Sequence, residues 1–262
     1  MHYLNVLLYT IAFDSPGQPA MHRTMAKMLA GGLLRNFFGG KVVVFRNTPQ
    51  PLFKVERRGL EEIHVEVEPG GLVAQQFKYR ARDWLDVTGF DAVAFVDVDC
   101  AVLRGVDHLF PDESWDILWQ PERGHTVNSV FHNAYLTDAE MKRQTNRDGA
   151  NSGTWAVRAA HYHAVMAEWE RLDALPPRRQ KLASDQPAWD RLLLDTPLRT
   201  RCFERDEVLL PSLGGNYCDW REAAILHVLG WPLDAKVEFL AGLFYARYLG
   251  DPGGHYLDLI EP

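Results

Sequence analysis

Over the first hundred residues, apolar runs with a strand's period alternate with runs of helical period. That alternation leaves the chain few architectures to choose from. YLNVLLYTIAF, from Tyr3 to Phe13, is a buried-strand run. PAMHRTMAKMLAGGLLRNF then carries Met21, Met25, Met28 and Leu29 at helical spacing, and KVVVFRN is a short β-branched run. In LEEIHVEVEP, Ile63, Val65 and Val67 alternate with His64, Glu66 and Glu68, the pattern of a strand with one wet face or at a sheet edge. AQQFKYRARDWLDVTGF puts Phe77, Ala81, Trp84 and Leu85 on one helical face before Gly89 ends it. AVAFVDVD is apolar on both faces, as an interior strand is. The order strand, helix, strand, strand, helix, strand predicts an α/β chain with an open, mostly parallel, twisted central sheet flanked by helices.

Composition narrows the function by exclusion. The 28 Lys and Arg against 35 Asp and Glu give a net charge of −7 with no dominant basic block, so nucleic acid is not the expected partner. An anionic ligand would need a local basic patch or a metal. Cys100, Cys202 and Cys218 are far apart and odd in number, which suggests neither a disulfide framework nor a zinc knuckle and fits a reducing cytosol. The first residues lack a basic leader and a cleavage site, and nowhere do 18 apolar residues run together. The expectation is a cytoplasmic protein without a transmembrane segment. After Leu103 periodicity weakens, and seven of the eight tryptophans lie at or beyond Trp115, where they suit sugar stacking or a half-buried core. No linker marks a second domain.

The strand AVAFVDVD ends on two acids. In an extended strand residues i and i+2 share a face, so Asp97 and Asp99 can aim at one point while Val96 and Val98 pack the other side. Ligands of open α/β sheets bind outside the carboxyl ends of strands, which is where this pair falls. Two anions so close become favourable around a divalent cation, and oxygen ligands suit Mg²⁺ or Mn²⁺ shared with substrate phosphates.

Three signals follow downstream. One is NSGTWAVR from Asn151. In SDQPAWDRLL, Ser184 or Asp185 can cap a helix whose apolar face is Trp189, Leu192 and Leu193, leaving Asp185 and Gln186 at its positive end. The third, ILHVLG, is a short strand with His227 in its middle, and beside a pair of acids an imidazole there adds a neutral metal ligand.

In that order these motifs resemble retaining nucleotide-sugar glycosyltransferases of the A-type fold, family 8 in particular, over about Val73 to Lys236. The resemblance implies a single catalytic domain over residues 1–262. Residues 1–104 would form its nucleotide-sugar-binding half, and 105–262 its acceptor-side and site-completing half. By that likeness Asp97, Asp99 and His227 hold Mn²⁺ or Mg²⁺, with Val98 in the donor-binding set. Arg80, with Lys78 as rival, is the basic residue meeting the donor. Asn151, Ser152 and Gly153 form a turn lining the donor sugar, and Asp185 and Gln186 lie beside the anomeric carbon as the catalytic pair. Gly230 is a close backbone approach to the pyrophosphate, and LLPSLGGNYCDW resembles the segment ahead of it. Lys236, although later in the chain than the family's usual position, is the candidate for its phosphate-gripping lysine in the donor-binding set. Thr10, Ala12 and Phe13 fall where the base-binding loop would be.

The implied activity is metal-dependent transfer of a hexose from a nucleotide diphosphate sugar, UDP-linked by preference, with retention, to a glycan, lipid-linked or small-molecule acceptor. Two other readings use the same residues. A haloacid-dehalogenase-type phosphatase also has a strand-borne DxD, but on its first strand and followed by Thr or Val where this chain has Ala101. A non-catalytic carbohydrate- or nucleotide-binding protein would keep the fold and use the acids and histidine structurally.

Overall fold

A computed structural model describes residues 4–14, 20–36, 39–54, 56–68, 71–111, 115–183, 185–210 and 220–248. The first apolar run is β1 (Val6–Ala12), followed by α1 (Met21–Arg35), β2 (Lys41–Arg46), β3 (Leu60–His64), α2 (Gly71–Arg80) and β4 (Ala92–Val96). The expected alternation therefore holds. Beyond β4 come β5 (Cys100–Val102), β6 (Ile117–Thr126), α3 (Asp138–Arg143), β7 (Asp148–Arg158), α4 (Ala159–Asp173) and α5 (Gln186–Asp195). The described chain finishes with β8 (Thr200–Cys202), β9 (Val208–Leu209), β10 (Ile225–His227) and α6 (Leu233–Tyr248).

Seven strands form one sheet in the order β3-β2-β1-β4-β7-β6-β8. The pairs β3/β2, β2/β1, β1/β4 and β6/β8 are parallel, and β7 runs antiparallel to both its neighbours. The sheet is open, mixed α/β and mainly parallel, with β3 at the edge as its wet alternation predicts. Strand alternation sorts the core into two layers. Val6, Leu8, Val42, Val44, Ala94 and Val96 face Met25, Leu29 and Leu33 of α1 and Leu240 and Phe244 of α6. Leu7, Tyr9, Val43, Phe45, Val93 and Phe95 face Phe77 of α2, Met166 and Trp169 of α4, and Trp189 of α5.

Several expectations change. The helix expected to run to Gly89 stops at Arg80 and passes into a short 3-10 turn, so Phe77, Ala81 and Leu85 are buried while Trp84 is 45% exposed. The aperiodic stretch after Leu103 contains two of the longest strands, β6 and β7. Most of its tryptophans are core: Trp115, Trp155, Trp169 and Trp189 are fully buried, and the last three pack together with ring centroids 4.6 to 5.8 Å apart. A second, three-stranded sheet, β5-β10-β9, was not foreseen. In it β10 pairs antiparallel with β5 and sets His227 opposite Cys100, one residue beyond Asp99. Among the described residues no helix is long and apolar enough to cross a membrane.

Candidate active site

β4 ends at Val96, so the acid pair lies on a turn and not on a strand face. The Asp97 N–H donates to the Gly153 carbonyl at 2.8 Å, and the Cys100 N–H returns to the Asp97 carbonyl at 3.2 Å, closing the turn into β5. Val98 still points into the core. The two carboxylates meet His227, whose Nε2 lies 3.2 Å from Asp99 Oδ1 and 4.0 Å from Asp97 Oδ2. The other ring nitrogen, Nδ1, lies 3.2 Å from Gln120 Oε1, so with the proton on Nδ1 a lone pair is left on Nε2. Nε2 is buried and has no hydrogen-bond partner among the described residues. A lone pair facing a carboxylate oxygen in a buried site needs a proton or a cation between them. The ligand atoms of Asp99, Cys100 and His227 lie within 4.8 Å of one another, but burial pushes the Cys100 thiol up, away from the thiolate a metal takes. What remains is carboxylate oxygen and imidazole nitrogen, a set that fits Mn²⁺ or Mg²⁺. Gly153 forms the wall: a Cβ there would stand 2.3 Å from His227 Cε1 and 2.6 Å from Asp97 Oδ2.

Two lysines serve the acids. Lys78, at the inner end of α2 and buried, places Nζ 3.2 Å from both Asp97 Oδ2 and Asp185 Oδ2, and donates to the Ser152 carbonyl at 3.2 Å. Burial alone would lower its pKa, but Asp185 and Asp97 raise it well above the ordinary lysine value. Lys236, in the first turn of α6, lies 2.5 Å from Asp99 Oδ2. Burial opposes ionisation of Asp99, yet, without a bound cation, a proton on His227 Nε2 together with the Lys236 ammonium holds its carboxyl below the usual range. Burial lifts Asp97 above that range. Arg80, preferred over Lys78 on sequence, faces outward and pairs with Glu170 of α4 at 3.2 Å. Successive residues of an α-helix are rotated by about 100°, so residues two apart on α2 face nearly opposite ways.

Asn151, Ser152 and Gly153 are part of β7 and not a turn. The pairing of β6 with β7 slips there, from Trp119 opposite Trp155 to Gln120 opposite Asn151, which leaves Ser152 to Thr154 without partners on β6. The bulge turns Asn151 inward. Its amide donates to Glu122 Oε1 at 2.7 Å and to Gln186 Oε1 at 3.3 Å, and its Oδ1 accepts from the Gly153 N–H at 2.7 Å. Asp185 holds the N-cap position of α5 but makes no capping hydrogen bond; its carboxylate faces Lys78 instead. Behind Asn151 is a buried hydrogen-bonded chain whose pairing of His132 with Glu122 and Asp190 the sequence did not announce. His132, fully buried, lies 3.0 Å from Glu122 Oε2 and 2.5 Å from Asp190 Oδ2, and the Ala150 N–H donates to Asp190 Oδ1 at 2.8 Å. Burial disfavours the imidazolium, but Asp190 and Glu122 outweigh it and raise His132 to about 10. Gly149 makes the room, since a Cβ there would stand 2.4 Å from the ring. The spacing of Gln186 and Asp190, one helical turn apart, was the available signal; Glu122 in an aperiodic strand offered none.

Thr10 and Ala12 lie inside β1 and Phe13 just after it, and all three are buried. Phe13 packs edge-on against Phe77, centroids 4.9 Å apart, so its ring serves the core beneath the expected base site. Gly230 sits in a turn at φ +78° before α6, a conformation that favours glycine. Ser184 and most of LLPSLGGNYCDW lie outside the described residues.

No family model matches the chain, and no curated protein matches it. Among solved structures, the apo form of a bifunctional glycosyltransferase, WbbM, superposes with a TM-score of 0.59 at 12% identity. The match covers 94% of this chain and 52% of that one, so the chain spans about half the length of WbbM. The fold is that of a glycosyltransferase.

On this glycosyltransferase fold the acid turn, Lys78, Asn151 and Gln186 line one continuous region outside the carboxyl end of β4. Gln186 also lines a cleft of about 540 Å³, together with Glu122, His125, Phe131, Gly230 and Trp231.

Proposed function

We propose that the chain is a metal-dependent glycosyltransferase, of the retaining family 8 kind, that moves a hexose from a nucleotide diphosphate sugar, a UDP-sugar by preference, to an acceptor. The observation that supports this best is the meeting of Asp97, Asp99, His227, Lys78, Asp185, Asn151 and Gln186 from five separate elements at one strand end. A single catalytic unit follows, because residues on both sides of position 104 complete it.

Asp97, Asp99 and His227 would hold Mn²⁺ or Mg²⁺, which when bound supplies positive charge to the departing diphosphate. Breaking the anomeric C–O bond leaves a cation-like sugar ring on one side and a diphosphate on the other. Lys236, which reaches Asp99 from the first turn of α6, is placed to turn toward that diphosphate. Lys78, 3.2 Å from both Asp97 and Asp185, fixes the Asp185 carboxyl group in one position, from which it would face the developing cation. Gln186 and Asn151 hold each other's amides in one orientation and can bind sugar hydroxyls without rearranging. Glu122, His132 and Asp190 keep that orientation from behind.

Release of free UDP from a panel of UDP-hexoses, followed with Mn²⁺ and with EDTA, tests this reading. Metal-dependent release that Asp97→Asn abolishes supports it. Release of phosphate from p-nitrophenyl phosphate in place of UDP would overturn it in favour of a phosphatase.

A further inference from the structure

The cleft beside Gln186 is built differently from the donor side. Among the described residues four large aromatic side chains are substantially exposed, Trp84, Phe131, Trp231 and Tyr245, and two of the four, Phe131 and Trp231, line this one cleft. Exposed aromatic surface costs free energy in water, so two such rings on a single concave surface point to a ligand that covers them. Both are held in place. His125 stacks on one face of Phe131 with centroids 5.6 Å apart and planes 15° from parallel, and Phe239 braces Trp231 at 5.1 Å. The cleft is not simply greasy, because Glu122, Gln186 and the half-exposed His125 share its lining. A hydrocarbon chain would strand those hydrogen-bonding groups. A pyranose satisfies both kinds of wall, with C–H faces for the rings and hydroxyls around its edge for the polar groups.

We propose that this cleft is the acceptor subsite and that the acceptor is a carbohydrate, seated with a sugar ring against Phe131 and Trp231 and a hydroxyl toward Gln186. The inference rests on the glycosyltransferase reading for its word "acceptor", whereas the claim that the cleft binds sugar stands on its own geometry.

Saturation-transfer NMR with the intact chain tests it, using methyl α- and β-glycosides of glucose, galactose and mannose, lactose and maltose, with hexan-1-ol as the apolar comparison. The expected result is saturation of ring C–H protons in at least one sugar, reduced at least tenfold in Phe131→Ala and in Trp231→Ala at unchanged melting temperature. Both side chains lie at the surface, so neither substitution empties the core. Absence of saturation for every sugar, persistence in the Phe131→Ala/Trp231→Ala protein, or saturation of hexan-1-ol alone would overturn the proposal. Calorimetric titration of UDP with Mn²⁺ into the same preparation separates the two ideas: UDP binding without sugar binding overturns only the carbohydrate subsite, and sugar binding without UDP binding overturns only the donor reading.

Discussion

Lys78 Nζ lies 3.2 Å from Asp185 Oδ2, and both side chains are nearly inaccessible, at 6% and 4%. The same nitrogen reaches Asp97, so one buried cation balances one acid from the strand end and one from the start of α5. Removing it leaves buried anions without compensation, which costs about 3–5 kcal/mol in comparable buried pairs. Lys78→Met is therefore expected to lower unfolding free energy by that order in urea titrations at pH 7, and to abolish UDP release. Arg80→Met, which loses an exposed pair with Glu170, should change stability by less than about 1 kcal/mol.

Gly153 and Gly230 offer a paired test of the wall beside His227. A Cβ on Gly153 would collide with the ring and with Asp97, whereas one on Gly230 would meet nothing within 4 Å. Gly153→Ala is expected to cost about 1–3 kcal/mol through overpacking and to destroy Mn²⁺-dependent UDP binding. Gly230→Ala adds only the backbone cost of a positive φ, about 1 kcal/mol. Chemical denaturation and calorimetry on both proteins check the contrast.

The His132 network gives a signed pH effect. Its pKa is raised from an ordinary 6.5 to about 10 in the folded chain, so the folded state keeps a proton that the unfolded state sheds first. That contribution is complete below about pH 6.5 and is lost as pH rises toward about 10. Stability of the unmodified chain should therefore fall across that window, and His132→Gln should lack this component of the slope. Urea unfolding at one-unit pH steps measures it; equal slopes in the two proteins would refute the assignment.

The sheet was legible because strand and helix periods alternate cleanly from Tyr3 to Val96, and buried parallel strands cannot disguise their apolar runs. The grouping of candidate residues was legible where chemistry is packed into short motifs: Asp97 and Asp99 meet His227, Asp185 reaches Asp97 through Lys78, and Asn151 meets Gln186. Three things were hidden for physical reasons. β6 and β7 bury Gln120, Glu122 and Asn151 as hydrogen-bonded polar groups, so an apolar period never forms there. Lys78 and Arg80 are both basic, and only the rotation of α2 against β1 and α4 decides which turns inward. The pairing of β10 with β5, which delivers His227 to Asp99, joins segments more than 120 residues apart and depends on a small second sheet that three-residue strands barely announce.

The central claim is that Asp97, Asp99 and His227 form a cation seat for a nucleotide diphosphate. Calorimetric titration of UDP into the protein, with Mn²⁺ and with EDTA, and repeated on Asp99→Asn, measures it most directly. The account predicts binding with Mn²⁺, none in EDTA, and at least a tenfold loss in Asp99→Asn. Equal UDP affinity with and without metal, or an Asp99→Asn protein that binds as the unmodified chain does, would contradict it.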